Sequence, residues 1–280
     1  MQRIIKLAMV ALVAIISIAS CKKEINWNEQ LLAKGNGCKL TSLKADLDLL
    51  GNYSYTVNFS YDTQGRISKA TTGSETNTYT YSTNKITAVD ESGYMAEIIL
   101  ENGRAVSSGS AGTIMVGGVY YDYTKKYTYN SDGYLIQVKN YLNKELSTTD
   151  DLTYANGNLV KAVSVSADLR YTETATYLYS NEIAVNTYEI ADPLSYHVDY
   201  FPGGYFGKQS KNVLIKSVSK TVDENGDPFS DDIITVTSQY DAKGNATSIN
   251  FSDVSTFYPF GGAPTTETYS AKYALSYTCK

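Results

Sequence analysis

Between residues 53 and 61 the chain alternates strictly. Tyr53, Tyr55, Val57, Phe59 and Tyr61 fall on every second position, with Ser54, Thr56, Asn58 and Ser60 between them. A period of two, apolar against polar, predicts a strand with one dry and one wet face. The next residues, Asp62-Thr63-Gln64-Gly65, predict a tight turn. An aspartate in first place accepts a hydrogen bond from the backbone two residues on. A glycine tolerates the left-handed conformation that closes a type I turn with a bulge. Arg66 and Ile67 then open the following strand.

Versions of this unit recur almost to the C-terminus. Tyr129-Asn130-Ser131-Asp132-Gly133 and Tyr240-Asp241-Ala242-Lys243-Gly244 keep the full spacing, and Gly65, Gly133 and Gly244 are expected at positive φ. Thr80 to Ile86 carries Asn84 at the glycine position. Leu100 to Arg104, Tyr154 to Leu159 and Tyr179 to Ile183 are shorter forms. A period of about 20 to 25 residues is one hairpin and its return. From Cys38 onward the pattern predicts about 16 to 19 strands with short connections. The expected fold is all-β, an antiparallel meander of repeated hairpins rolled into a barrel or half-barrel over residues 38–280. Three stretches break the pattern and are expected as loops or lids: Ser107 to Gly118, Ala191 to Lys211 and Phe257 to Pro264.

The last strand alternates as the first does. Tyr269, Ala271, Tyr273, Leu275, Tyr277 and Cys279 share the apolar face. Cys38, at the start of the domain, shares a face with Leu40. If the sheet rolls until its ends meet, Cys38 and Cys279 are expected to form a disulfide. An open sheet leaves two thiols at opposite edges.

The N-terminus reads as an address. Arg3 and Lys6 precede an apolar run from Leu7 to Ile16, which ends in Ile18-Ala19-Ser20-Cys21. That run is too short for a normal membrane span. Residues 1–20 are expected to be a lipoprotein signal peptide, with Cys21 acylated as the first mature residue. Residues 21–37 are polar, end in Gly35-Asn36-Gly37 and read as a lipidated tether. Lys22, in place of an aspartate, favours the outer membrane, with the periplasmic and surface faces both open.

The repeated turns resemble the tyrosine–aspartate repeats of Rhs-type proteins. Placed behind a lipoprotein signal, they look like a domain-of-unknown-function family of Bacteroidetes-type lipoproteins described as having a porin-like fold. The resemblance covers roughly residues 38 to 280 and implies a β-barrel. It brings no catalytic residues to transfer.

Composition narrows the function. Loss of Arg3 and Lys6 with the signal takes the net charge from −5 to −7, which argues against nucleic acid as partner. Tyrosine is used 26 times, against 7 Phe and 1 Trp, and suits a sheet with one wet side. The single histidine, His197, nearly excludes histidine-based triads and polyhistidine metal sites, and lone histidines are usually structural or exposed. Asp223-Glu224-Asn225-Gly226-Asp227 begins like a calcium loop, but Pro228 interrupts it and a polar hairpin turn accounts for it. No cofactor is expected.

Two aromatic–glycine stretches remain as binding candidates. One contains Tyr200, Phe201, Tyr205 and Phe206; the other contains Phe257, Tyr258 and Phe260. Aromatics on loops at a barrel mouth either form platforms for sugars or apolar ligands or plug the barrel end. The expected function is a non-enzymatic outer-membrane lipoprotein, held to the membrane by its lipid and binding a glycan or an envelope protein. The alternative is a carbohydrate-active hydrolase using two of the 29 acidic residues.

Overall fold

The Tyr–Asp turns are built by their aspartates. Asp62 N–H donates to the Arg66 carbonyl at 2.8 Å, and Gly65 N–H donates back to the Asp62 carbonyl at 3.0 Å. One oxygen of the Asp62 carboxylate accepts from the N–H groups of Gln64 and Arg66, both at 2.9 Å. The Arg66 guanidinium holds the other oxygen. Gly65 takes φ 85°, and the strand register shifts between Ser60 and Tyr61, which is the bulge such a turn requires. Gly133 and Gly244 repeat the geometry at φ 87° and 81°. The acidic loop is a further copy: the Asp223 carboxylate accepts from the backbone of Asn225 and Asp227. Those bonds, the Asp227 N–H foremost, hold the carboxyl below its ordinary range.

Two of the copies differ from expectation. Asn84 does not take the glycine's positive φ, because Ser82 N–H donates straight to the Lys85 carbonyl and closes a tighter turn. Tyr179 to Ile183 is not a turn: a strand runs through it.

The computed structural model describes residues 37–48, 53–93, 95–116, 119–167, 170–184, 192–198, 204–259 and 262–279. Its strands are β1 (Cys38–Leu47), β2 (Tyr53–Tyr61), β3 (Ile67–Thr72), β4 (Glu75–Tyr81), β5 (Lys85–Val89), β6 (Met95–Glu101), β7 (Arg104–Val116) and β8 (Val119–Tyr129) in the first half. The second half comprises β9 (Leu135–Leu142), β10 (Glu145–Ala155), β11 (Asn158–Ser166), β12 (Thr172–Ile183), β13 (Asn212–Val222), β14 (Pro228–Tyr240), β15 (Ala246–Phe257) and β16 (Thr265–Cys279). Each pairs with its sequence neighbours, and β16 returns to β1, so the sheet is a closed barrel rather than a half-barrel. Cys38 stands opposite Cys279 in that closing ladder and is disulfide-bonded to it. The stretch from Ser107, expected as an irregular loop, runs to Val116 within β7.

Strict up-and-down order sorts the connections. Those after even-numbered strands lie at one end of the barrel. This Tyr–Asp end carries the Tyr–Asp turns, both disulfide cysteines and the long connection from β12 to β13, while the Asp223 copy lies at the other end. Connections after odd-numbered strands lie at the opposite, far end.

The two faces of the wall are chemically distinct. On β2, Val57, Phe59 and Tyr61 point in, while Thr56, Asn58 and Ser60 point out. On β16, Tyr273, Leu275 and Tyr277 point in, with Lys272, Ala274 and Ser276 outside. A transmembrane barrel carries the reverse, an apolar outer band around a polar interior. The outer faces of β2 and β16 are thus polar, while Ile99, Val165, Leu178, Ile233 and Val254 are exposed apolar residues on outward positions of β6, β11, β12, β14 and β15.

The tyrosines tie the Tyr–Asp end together. The hydroxyl of Tyr61 donates to the Leu40 carbonyl at 2.5 Å, Tyr81 to Ile67 at 2.7 Å, Tyr129 to Ala105 at 2.8 Å and Tyr179 to Leu159 at 2.7 Å. In each case the end of an even strand is strapped to the start of the strand before it. In three cases the residue just before the acceptor is a cation lying over the same ring: Lys39 on Tyr61, Arg66 on Tyr81 and Arg104 on Tyr129. Only tyrosine supplies a large apolar ring and a hydroxyl at its tip, which is why the repeat is written in tyrosine rather than phenylalanine.

Candidate functional site

The connection between β12 and β13 enters the barrel. Asp192 organises its described parts, accepting from Leu194 N–H and Ser210 N–H, both at 3.0 Å, and so joining the two arms. A single 3-10 turn, Pro193–Tyr196, lies between. The second arm is fastened to the Tyr–Asp end by backbone. Ala105 N–H donates to the Tyr205 carbonyl, Lys208 N–H to Gly133 and Lys211 N–H to Gly157. Gly207 sits at φ 89°, where a Cβ would come within 2.7 Å of the Gly133 carbonyl and 2.9 Å of the Tyr129 ring, so no larger residue fits. Tyr205 and Phe206 are 4% and 5% exposed, packed against Tyr81 and Tyr127 respectively. This segment is a plug.

The two aromatic–glycine stretches thus lie at opposite ends. Phe257 and Tyr258 stand on the far rim, where Phe257 packs edge-on against Phe229 at 5.1 Å and Phe229 against Tyr171 at 4.5 Å. The Tyr258 hydroxyl donates to Asp231 at 3.0 Å. Tyr200, Phe201, Phe260 and the lipidation candidate Cys21 fall outside the described residues. The disulfide cysteines belong to the wall, remote from the far rim.

Between plug and far end the lumen holds a cavity of about 330 Å³. Its floor is polar and built from the plug. His197, 8% exposed, lies with Nδ1 3.2 Å from Asp150 and Nε2 3.4 Å from the Tyr177 hydroxyl. Buried Lys125 donates to the His197 carbonyl at 3.3 Å. These contacts seat the plug against β8, β10 and β12. Burial pushes the Tyr177 hydroxyl well above its ordinary range.

The cavity wall is lined by Asn140, Thr148, Ser164, Glu173, Ser217 and Ser219. Ser217 is 7% exposed and its hydroxyl has no partner among the described residues, so its hydrogen-bonding capacity faces the cavity. Tyr196, on the plug, is 57% exposed although the barrel surrounds it. Its exposure is to water in the lumen, while the enclosing wall raises its hydroxyl above the ordinary value. Tyr55 and Tyr273, on the inward faces of β2 and β16, are shifted the same way by burial. On β14 and β15, Asp232 and Asp253 also face inward. Serines 255 and 219 donate to Asp232, and Asp253 is raised by burial first and by the charge of Asp232 second.

Sequence reasoning missed this cavity, yet β11 and β13 carry its signal. There the alternation is inverted. Ser217 and Ser219 pair with inward Tyr177 and Ala175, which puts Val218 outside. Ser164 faces in with Ala162 while Val165 is 46% exposed outside. Placing small hydroxyls inside and valines outside contradicts a dry core, and such local contradictions mark functional sites. His197 was legible only as a lone histidine, a type usually structural or exposed; its partners Asp150 and Tyr177 come from β10 and β12.

A model of the family described as a domain of unknown function (DUF4595) with porin-like fold matches residues 59–248. Among solved structures the chain is similar to a porin-like protein from Bacteroides uniformis, at 19% identity over 85% of this chain and 98% of that one, with a TM-score of 0.59. It is also similar to a porin-like protein from Bacteroides vulgatus, at 15% identity over 84% and 97%, with a TM-score of 0.54. These likenesses concern the fold. No functionally curated protein matches.

Proposed function

The chain belongs to the DUF4595 family with porin-like fold, and from that premise we propose that it is a non-enzymatic outer-membrane lipoprotein that binds a small glycan in its lumen. The observation that carries this reading is the 330 Å³ cavity. Small-molecule pockets begin at about 300 Å³ and pair apolar surface with a few placed polar groups. Here Tyr177, Tyr196 and Ile234 supply the surface, and Asn140, Ser164 and Ser217 supply hydrogen bonds. Vicinal hydroxyls of a sugar match that combination. Cys21 would carry the lipid, and the polar outer faces of β2 and β16 support a barrel held beside the membrane rather than within it.

A glycan-array screen on the full chain in detergent, wild type against Ser217→Leu, tests the reading. Binding that Ser217→Leu abolishes without lowering Tm is expected. Binding that survives a filled lumen would contradict it.

The inward pair Asp232 and Asp253 favours a second reading, a carboxylate-pair hydrolase. Asp232 accepts from two serine hydroxyls, and Asp253 is raised by burial first and by the charge of Asp232 second, the direction that the acid of such a pair needs. Release of reducing sugar by wild type but not by Asp253→Asn would establish it over simple binding.

A further inference from the structure

The lumen has a sign. Glu173 lies on the face that holds Ala175 and Tyr177, opposite Ser164 in the ladder. Asp232 shares a face with Ile234, Asp253 with Phe251 and Glu267 with Tyr269. All four carboxylates therefore face the interior in the far half of the barrel. Against them stands Lys125, which is engaged at the plug through the His197 carbonyl. Lys69, Lys139, Lys161, Lys220 and Lys272 sit on outward positions of their strands. A cup with low-dielectric walls and one sign of charge concentrates ligands of the other sign.

The carboxylates are not gathered for a metal. Among the described residues no group of three or more His, Cys, Asp or Glu could hold a metal ion. They are spread around a cavity whose remaining polar groups are hydroxyls and an amide, with Ser217 buried and unpartnered at its wall. Glu173 is exposed at that wall. Tyr196 offers an open ring above the floor, a surface that attracts an ammonium group as well as a sugar face.

We infer that the lumen receives an aminated saccharide, its ammonium group bound by Glu173 and its hydroxyls by Ser217, Ser164 and Asn140. This deepens the glycan reading above and rests on it. A ligand of that class presents donors to the carboxylate and both donors and acceptors to the hydroxyls. A uronic acid would meet carboxylate with carboxylate and be rejected.

The test is calorimetric titration of the full chain in detergent with three matched oligosaccharides: glucosamine oligomers with free amines, their N-acetylated counterparts, and glucose oligomers of the same linkage and length. The free-amine oligomer is expected to bind at least about tenfold tighter than the other two, the scale of one charge-assisted hydrogen bond. That preference should weaken with added salt. Glu173→Gln should remove the preference for the free-amine oligomer. Glu173 is exposed, so the variant keeps its fold, which an unchanged Tm verifies. Equal affinity for all three oligomers keeps the glycan reading and overturns the amine inference. So does a preference that Glu173→Gln leaves intact. Binding of none of them, in a folded protein, overturns both.

Discussion

Tyr61 and Tyr196 are one residue type in two physical situations. Tyr61 is half-buried at the Tyr–Asp end, with Lys39 over its ring and its hydroxyl on the Leu40 carbonyl. Burial pushes it up to about 12 from an ordinary 10.0. The folded state therefore favours the neutral phenol. That contribution is whole below pH 10 and is lost as pH climbs through about 12, because the unfolded chain gives up its proton first. Tyr61→Phe should cost about 1 kcal/mol at pH 8, the net value of one hydrogen bond, and should lose less stability than wild type between pH 10 and 12. Urea midpoints at several pH values check both points. An unchanged alkaline slope would contradict the strap. Tyr196, by contrast, presents its ring to the lumen, so its loss should be felt by a ligand rather than by the fold.

At the scale of elements the plug and the far rim separate. Tyr205 is buried against Tyr81 and joined by backbone to Ala105. Tyr205→Ala should cost about 3–5 kcal/mol, as for other buried aromatics. Tyr258→Ala, which removes one bond to Asp231 on the rim, should stay within about 1 kcal/mol. Thermal denaturation of both variants decides it; equal losses would contradict the assignment of the plug. Individual hairpins were legible because Asp62, Gly65 and their copies act within five residues. The plug was not, because its contacts join Tyr205 to Ala105 and Lys211 to Gly157, residues that only closure of the barrel brings together. The inverted faces of β11 and β13 escaped for a different reason. Alternation states that two faces differ, and the inward one is assumed to be apolar. Beside a wet cavity that assumption fails, and Ser217 takes the inside from Val218.

For the molecule as a whole, closure is the feature with the widest consequences. It sets Cys38 against Cys279 and ties a loop of 241 residues. A disulfide of that span contributes up to about 5 kcal/mol in the chain-entropy account. Intact mass after alkylation should show no free thiol at either position without reductant, and reduction should lower Tm; two alkylated thiols in the unfolded, unreduced protein would contradict the bond. Closure was only half legible, since periodicity along the chain yields hairpins and says nothing of whether the first and last meet. It also fixes which wall meets the surroundings. Thr56, Asn58, Ser60, Lys272 and Ser276 face outward, and under the function proposed above the barrel binds on its inside and is held at the membrane by lipid on Cys21. Fractionation of Cys21→Ala after a carbonate wash tests this most directly. The variant is expected to lose its lipid label and appear in the soluble fraction; a variant that remains with the outer membrane would mean that the barrel itself is embedded.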